Sequence, residues 1–224
     1  MEDKYVLPNG TLRNLLGIED YTELKKAEAD IGFAKLITVD NIKSAKTDID
    51  LIKKIHKHIF EDIFDWAGEF REVPLFKAEQ YVIPNLSLNY ALPKDINPQL
   101  KHYVHDLNSI RWSEKSLDEK ALEFSKCLAA IWKVHPFRDG NTRTIISFAN
   151  IYAYEHGFPM DMTVFIDRLS RKELSDGRKM YSVRDLFVFA SLDEKDYPEP
   201  EHLARLIKRA IISEKEKTSI KEKE

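Results

Sequence analysis

Apolar residues recur every three or four positions along most of the chain, which predicts a protein built mainly of α-helices. Residues 48–66 predict one amphipathic helix, and Gly68 follows as a stop signal. Residues 95–110 predict a second helix, whose start is constrained by Pro93 and Pro98. The inward positions are Leu51, Ile52, Ile55, Ile59, Phe60 and Ile63 in the first, and Ile96, Leu100, Tyr103, Val104 and Leu107 in the second.

A third apolar face covers residues 117–134 and leads directly into His135, which therefore lies at the carboxyl end of a helix. Residues 199–211 predict a further amphipathic helix. The tail after it, SEKEKTSIKEKE, is too polar to pack and is expected to be frayed.

Strand signals are sparse. Residues 70–84 are rich in valine, isoleucine and aromatic residues and are broken by Pro74, so they predict two short strands or an irregular hairpin. Seven glycines and nine prolines are too few turn signals for an all-β protein. The expected fold class is mostly α with one short β-hairpin.

The composition bounds the class of protein. With 224 residues, 43% of them hydrophobic, the chain can bury one substantial core as a single domain with terminal elaborations. The 35 basic and 38 acidic residues give a net charge of -3, which argues against a nucleic-acid partner. The single cysteine, Cys127, excludes an intramolecular disulfide, and neither a leader nor a membrane-spanning run is apparent. A cytoplasmic, unprocessed protein without membrane contact is expected.

Candidate chemistry is concentrated in residues 134–148, VHPFRDGNTRTIISF. Gly140 and Asn141 can adopt left-handed backbone conformations that point successive N–H groups into one concavity. A helix beginning at Thr142 would add its positive N-terminal end. An anion is therefore expected to bind here, and Asp139 beside it is most simply explained as a magnesium ligand.

Three further side chains of this segment suit a phosphate reaction. Arg138 and Arg143 are candidate phosphate forks, and His135 can take a proton from a hydroxyl at neutral pH. The spacing fits a plainer alternative equally well, namely a helix-loop-helix with a buried, hydrogen-bonded histidine and a solvated Arg–Asp pair.

The nine residues HPFRDGNTR, 135–143, closely resemble the signature of the Fic family, His-x-Phe-x-(Asp or Glu)-Gly-Asn-Gly-Arg-x-x-Arg. Residues 59–73, IFEDIFDWAGEFREV, are similar to the stretch that precedes the family's flap hairpin. The resemblance implies a helical Fic fold over residues 20–195, with 1–19 as an N-terminal extension and 196–224 as a C-terminal helix and charged tail. It also implies transfer of AMP from ATP, with Mg or Mn, to a Ser, Thr or Tyr hydroxyl of a protein.

The resemblance also implies roles for individual residues. His135 would be the general base, Asp139 the metal ligand and Phe137 a core anchor. Residues 70–84 would be the flap that aligns the target's backbone by strand addition. The nucleotide-binding residues would be Gly140, Asn141, Thr142 and Arg143, with Arg138 as a further candidate and Lys77 and Ala78 approaching from the flap. Self-modification is open to the tail hydroxyls of Ser213, Thr218 and Ser219.

Two positions depart from the family pattern. Thr142 replaces a glycine, although its amide is kept, and Ile146 replaces an arginine that would hold the γ-phosphate. If position 146 faces the γ-phosphate, Ile146→Arg should tighten ATP binding. The inhibitory pattern Ser or Thr, three residues, Glu, then Gly or Asn does not occur, so built-in inhibition is not expected. A separate antitoxin and a homo-oligomer are open as further partners.

The altered triphosphate site leaves other functions open. The same fold could transfer UMP or a phosphoryl group, or the chain could be a non-enzymatic module that binds a nucleotide or a peptide. Several other polar residues have plain interpretations. The pairs His56/His58 and His102/His105 are expected at the surface, and Lys25, Glu28 and Asp30 are expected to form an ordinary charged helix face.

Overall fold

The computed structural model describes residues 3–42, 46–77, 82, 87–173 and 179–211. Within these residues the backbone is mainly helical, which confirms the mostly α fold class. The helices are α1 (Tyr21–Leu36), α2 (Ile49–Phe60), α3 (Ile96–Asn108), α4 (Leu117–Val134), α5 (Asn141–Glu155), α6 (Thr163–Ile166), α7 (Val183–Ala190) and α8 (Pro200–Ala210). A short antiparallel pair, β1 (Lys172–Glu173) with β2 (Lys179–Met180), lies between α6 and α7.

The starts of the helices follow from local side chains. The carboxylate of Asp20 accepts the Glu23 N–H at the start of α1. At the start of α4, Ser116 and Glu119 form a reciprocal capping box, in which each side chain accepts the backbone N–H of the other residue. These caps satisfy N–H groups that the first turn leaves without partners.

Helix α4 lies at the centre of the core and packs against α3, α5, α7 and α8. An aromatic cluster joins it to α5: the rings of Phe124 and Tyr152 stack with centroids 5.6 Å apart. The Trp112 Nε1–H donates to the Tyr152 hydroxyl at 2.9 Å, and that hydroxyl donates to the Leu107 carbonyl at 2.9 Å. The relative placement of α4 and α5, which flank the loop with the candidate chemistry, is thereby determined by buried contacts.

One sequence prediction needs correction, and another is not confirmed. Helix α2 ends at Phe60 rather than near Trp66. The prediction overran because the apolar spacing continues into the turns after the helix, where Ile63 is still fully buried. In the predicted hairpin, residues 70–77 and 82 form no strand, so the flap hairpin is not confirmed. The remainder of this segment, including Ala78, lies outside the described residues.

The terminal segments pack onto the same core. The Tyr5 ring meets Trp66 edge-on at 5.6 Å, and the Leu15 N–H donates to the Ile63 carbonyl at 2.8 Å. Leu203 and Ile207 of α8 are fully buried. The tail from residue 212, with Ser213, Thr218 and Ser219, is outside the described residues. In the part of the chain that is described, no helix combines the length and apolar character needed to cross a membrane.

Candidate active site

The loop between α4 and α5 turns through two left-handed residues. His135 ends α4 with φ 52° and ψ 59°, and Gly140 precedes α5 with φ 76°. The left-handed conformation predicted for Gly140 is confirmed. Asn141, in contrast, is the first residue of α5, so the positive end of that helix begins one residue earlier than expected.

Gly140 is required for a steric reason as well. A Cβ at this position would lie 2.3 Å from two ring atoms of Phe60, whose side chain is fully buried. The loop backbone therefore approaches the core more closely than any residue with a side chain allows.

Side chains from the loop and from α2 hold this backbone in place. The Asn141 amide accepts the Phe137 N–H at 2.9 Å and donates to the Phe137 carbonyl at 2.8 Å. The Phe137 ring is buried and stacks on His56 with centroids 3.8 Å apart. Together, these contacts anchor the middle of the loop in the core.

His56 has a defined tautomer. Because the Gly68 N–H donates to Nδ1 at 2.8 Å, Nε2 carries the proton and donates to the Asp139 carbonyl at 3.1 Å. Burial lowers the pKa of His56 to about 3, so the ring is neutral. The surface interpretation of His56 is wrong, whereas His102 and His105 are exposed as expected.

Arg71 fixes the turn at His135, and the sequence did not reveal this role. Its guanidinium is buried and donates from Nε to the His135 carbonyl at 2.8 Å and from Nη2 to the Val134 carbonyl at 3.4 Å. The Arg71 N–H donates to the Pro136 carbonyl at 2.9 Å. The segment predicted as a hairpin therefore begins with a backbone hydrogen bond to the loop.

The loop and the start of α5 open onto a cavity of about 500 Å³. One part of its wall is apolar and the other is charged. The apolar residues are Ala29, Phe33, Leu36 and Leu169, and the rest of the wall comprises Lys25, Glu28, Lys77, His135, Asp139, Gly140, Asn141, Thr142, Arg143, Ser170 and Arg184. Lys25, Glu28 and Arg184 are additions to the residues that the sequence suggested.

His135 reaches the cavity wall as a buried, neutral base. Among the described residues, neither of its ring nitrogens has a hydrogen-bond partner, and the ring stacks on Tyr90 with centroids 4.1 Å apart. Burial, with the charges of Lys77 and Arg184, holds the pKa of His135 well below its ordinary value. The alternative of a hydrogen-bonded structural histidine does not fit this geometry.

Asp139 is an ionised carboxylate with a cationic partner. Its Oδ1 accepts the Gly140 N–H at 2.6 Å, and its Oδ2 accepts from Lys25 Nζ at 2.8 Å. Burial by itself would raise the pKa of Asp139, but the charges of Lys25, Lys77 and Arg143 outweigh it and hold the pKa below its ordinary value. This carboxylate lies directly beside the turn at Gly140 and lines the cavity.

Arg143 packs against α1, and its side chain is 20% exposed. Its guanidinium forms an ion pair with Glu28, donates to the Glu28 carbonyl at 3.3 Å and covers the Phe60 ring at 4.6 Å. Gly32 permits this approach, since a Cβ there would lie 3.0 Å from Arg143 Nη1. Glu28 is 1% exposed, so its interpretation as part of an ordinary charged face is wrong.

Of the other predicted site residues, some line the cavity and some lie away from it. Lys77 lines the cavity, as does Thr142, whose Oγ1 accepts the Trp132 indole N–H at 3.0 Å. Arg138 lies elsewhere and pairs with Asp3 through two hydrogen bonds of 2.8 and 3.0 Å. Ile146 is buried in the core, so an arginine at this position would have to extend out of it to reach a phosphate.

A family model and two relatives match this chain. Residues 46–153 match the model of the Fic/DOC family. The protein adenylyltransferase VbhT of Bartonella schoenbuchensis is 32% identical over 179 residues, covering 77% of this chain and 34% of VbhT. The probable protein adenylyltransferase y4lH of Sinorhizobium fredii is 28% identical over 169 residues, covering 72% of this chain and 80% of y4lH.

A solved structure supports the fold. The crystal structure of BepC from Bartonella tribocorum with bound AMPPNP aligns with a TM-score of 0.73 at 18% identity, covering 96% of this chain and 99% of the BepC chain. Fold and site together define a helical domain in which a loop with two left-handed residues leads into the start of α5 beside a charged cavity. The chain belongs to the Fic/DOC family.

Proposed function

We propose that the chain is a protein adenylyltransferase that transfers AMP from ATP to a Ser, Thr or Tyr hydroxyl of a protein, its own tail included. The observation that carries this proposal is His135, a buried neutral imidazole whose ring nitrogens have no hydrogen-bond partner among the described residues. It lies on the wall of the same cavity that the first residues of α5 line. The relatives named protein adenylyltransferases and the AMPPNP bound to BepC support the same reaction.

In this reaction His135 takes the proton of the target hydroxyl. The hydroxyl oxygen forms a bond to the α-phosphorus of ATP, and the bond from that phosphorus to the oxygen bridging to the β-phosphate breaks. Pyrophosphate leaves with the electron pair. Because the imidazole is neutral before the reaction, it can accept this proton at pH 7.

The first turn of α5 would hold the phosphates. The N–H groups of Asn141 and Thr142 have no partner within the helix, because the first turn lacks preceding carbonyls. The Gly140 N–H is bonded to Asp139 Oδ1, so Gly140 contributes mainly by allowing close approach of the backbone. Arg143 and Lys77 add positive charge to the same cavity.

Asp139 fits a Mg or Mn ion that is bound mostly by phosphate oxygens. Magnesium is usually held in such sites by one or two carboxylates together with the substrate phosphates. The Lys25 ammonium, 2.8 Å from Asp139 Oδ2, shows that this oxygen accepts a cationic partner within the cavity. The bound ion would neutralise charge on the phosphates as the bond to the α-phosphorus forms.

The partners follow from the same reasoning. The protein substrate would dock along residues 70–84 by strand addition, and its recognition would then involve the segment next to Lys77. Restraint by a separate antitoxin or by a second copy of the chain stays a prediction, as does a cytoplasmic location.

The proposal is tested with purified protein, Mg and ATP labelled at either the α- or the γ-phosphate. We expect the α-label to remain on a protein band, and His135→Ala should reduce transfer at least roughly a hundredfold because the general base is lost. His102→Ala, at an exposed site on α3, is the matched control and should retain activity.

Other outcomes identify the alternatives. Retention of the γ-label would indicate phosphoryl transfer, and labelling only from UTP would indicate UMP transfer. Binding of ATP without transfer to any protein would favour a binding module. Full activity of His135→Ala would refute the assignment of the base.

A further inference from the structure

Lys25 is the cation nearest to the candidate metal ligand. Its Nζ lies 2.8 Å from Asp139 Oδ2 and 2.8 Å from Glu28 Oε2. Glu28 in turn forms the ion pair with Arg143. Two acidic and two basic side chains therefore alternate in a chain of ion pairs, Asp139–Lys25–Glu28–Arg143, along the cavity wall.

We propose that Lys25 is a nucleotide-binding residue: when Mg-ATP binds, its ammonium leaves Asp139 and contacts the β- or γ-phosphate. This inference rests on the proposed function, since it names a further contact to the same nucleotide. It gives the phosphate site a cation that Ile146 cannot supply, because that side chain is apolar and buried.

The ammonium and the metal ion compete for one carboxylate oxygen. A Mg ion bound to Asp139 Oδ2 would repel a positive charge held close to the same atom. Lys25 can respond, because its side chain is 36% exposed and an ammonium on a four-carbon stem is mobile. Binding of the ion and movement of Lys25 are therefore coupled.

Glu28 keeps Lys25 within reach of the phosphates. Its carboxylate is 2% exposed and belongs to the same helix, three residues further along. Leaving this buried carboxylate without partners would be costly, so it should retain both Lys25 and Arg143. The ammonium can then exchange Asp139 for a phosphate oxygen without leaving Glu28.

The charges around the cavity favour a phosphate as the new partner. Among the described residues, its wall carries four basic side chains, Lys25, Lys77, Arg143 and Arg184, and two acidic ones, Glu28 and Asp139. Once Asp139 is bound to the metal ion, Lys25 keeps Glu28 as one anionic partner, and a phosphate oxygen takes the place of Asp139 as the other. Lys25 lies beside the turn at Gly140, next to the N–H groups that would hold the same phosphates.

Binding of a non-reactive nucleotide tests this without relying on turnover. We would measure the dissociation constants of α,β-methylene ATP and of AMP with Mg by calorimetry, in the intact chain and in Lys25→Met. Loss of one charge-assisted hydrogen bond should weaken binding of the triphosphate at least about tenfold, and that of AMP less than about twofold. Lys25→Arg should preserve most of the affinity, because it keeps the charge.

Lys26→Met is the matched control, since Lys26 is the exposed neighbour on the same helix and should not affect affinity. If Lys25→Met leaves binding of the triphosphate unchanged, or tightens it, the inference is overturned; tightening would show that Lys25 only competes with the metal ion. A chain that binds the triphosphate through Lys25 but transfers no AMP would refute the proposed function alone. Failure of the unmodified chain to bind it would overturn both.

Discussion

Substitution of Gly140 by alanine should destabilise the protein for two separable reasons. A residue with a Cβ at φ 76° costs roughly 1 kcal/mol relative to glycine. The new Cβ would also lie 2.3 Å from the buried Phe60 ring, and displacing such a ring costs roughly 1–3 kcal/mol. We therefore expect the free energy of unfolding to fall by about 2–4 kcal/mol.

A second glycine isolates the steric part of this effect. Gly157 has φ 80°, but a Cβ there would meet nothing within 4 Å, so Gly157→Ala should cost only about 1 kcal/mol. Urea unfolding followed by tryptophan fluorescence measures both variants. Phe60→Leu should recover part of the loss in Gly140→Ala, as coupled neighbours do. Equal losses at the two glycines would refute the close approach of the loop to Phe60.

The remaining predictions concern buried polar groups. His56 has a folded pKa of about 3 against an ordinary 6.5, so the unfolded chain takes up the proton first as the pH falls. Between pH 6.5 and about pH 3, this residue should lower the free energy of unfolding by about 1.4 kcal/mol for each pH unit of acidification, with no effect above pH 6.5. Urea titrations in which His56→Gln shows the same pH dependence would contradict this. Thr142→Val leaves the buried Trp132 indole N–H without its acceptor and should lower the free energy of unfolding by about 1–2 kcal/mol. Thr142→Ser keeps the hydroxyl and should leave the stability nearly unchanged. Equal losses for the two variants in thermal unfolding would refute this.

Much of the site could be predicted because it is local in the sequence. His135, Asp139, Gly140 and Arg143 lie within one loop and the first turn of one helix, so their mutual proximity needs no long-range contact. The helices α2, α3, α4 and α8 were also indicated by apolar periodicity, which depends only on residues close together in the sequence. Boundaries were less certain, as the early end of α2 at Phe60 shows.

Contacts between distant segments could not be predicted in this way. Glu28 and Arg143 are 115 positions apart, and a charged helix residue is buried or exposed according to what packs against it. The same holds for His56, which bonds to Asp139 across 83 positions, and for Arg71, which bonds to His135 across 64. Arg138 was a candidate phosphate ligand by its place in the sequence, but in the fold it forms an ion pair with Asp3.

The sequence by itself therefore determined the helical class and the order of reactive groups along the loop, because both depend on neighbours within a few residues. Tertiary structure alone decided which charges face the cavity and which histidine has no hydrogen-bond partner among the described residues. The physical reason is that burial and partnering of a polar group depend on every segment packed around it. Lys25 shows this most clearly, since on its helix it is one of several lysines and in the fold it lies 2.8 Å from Asp139.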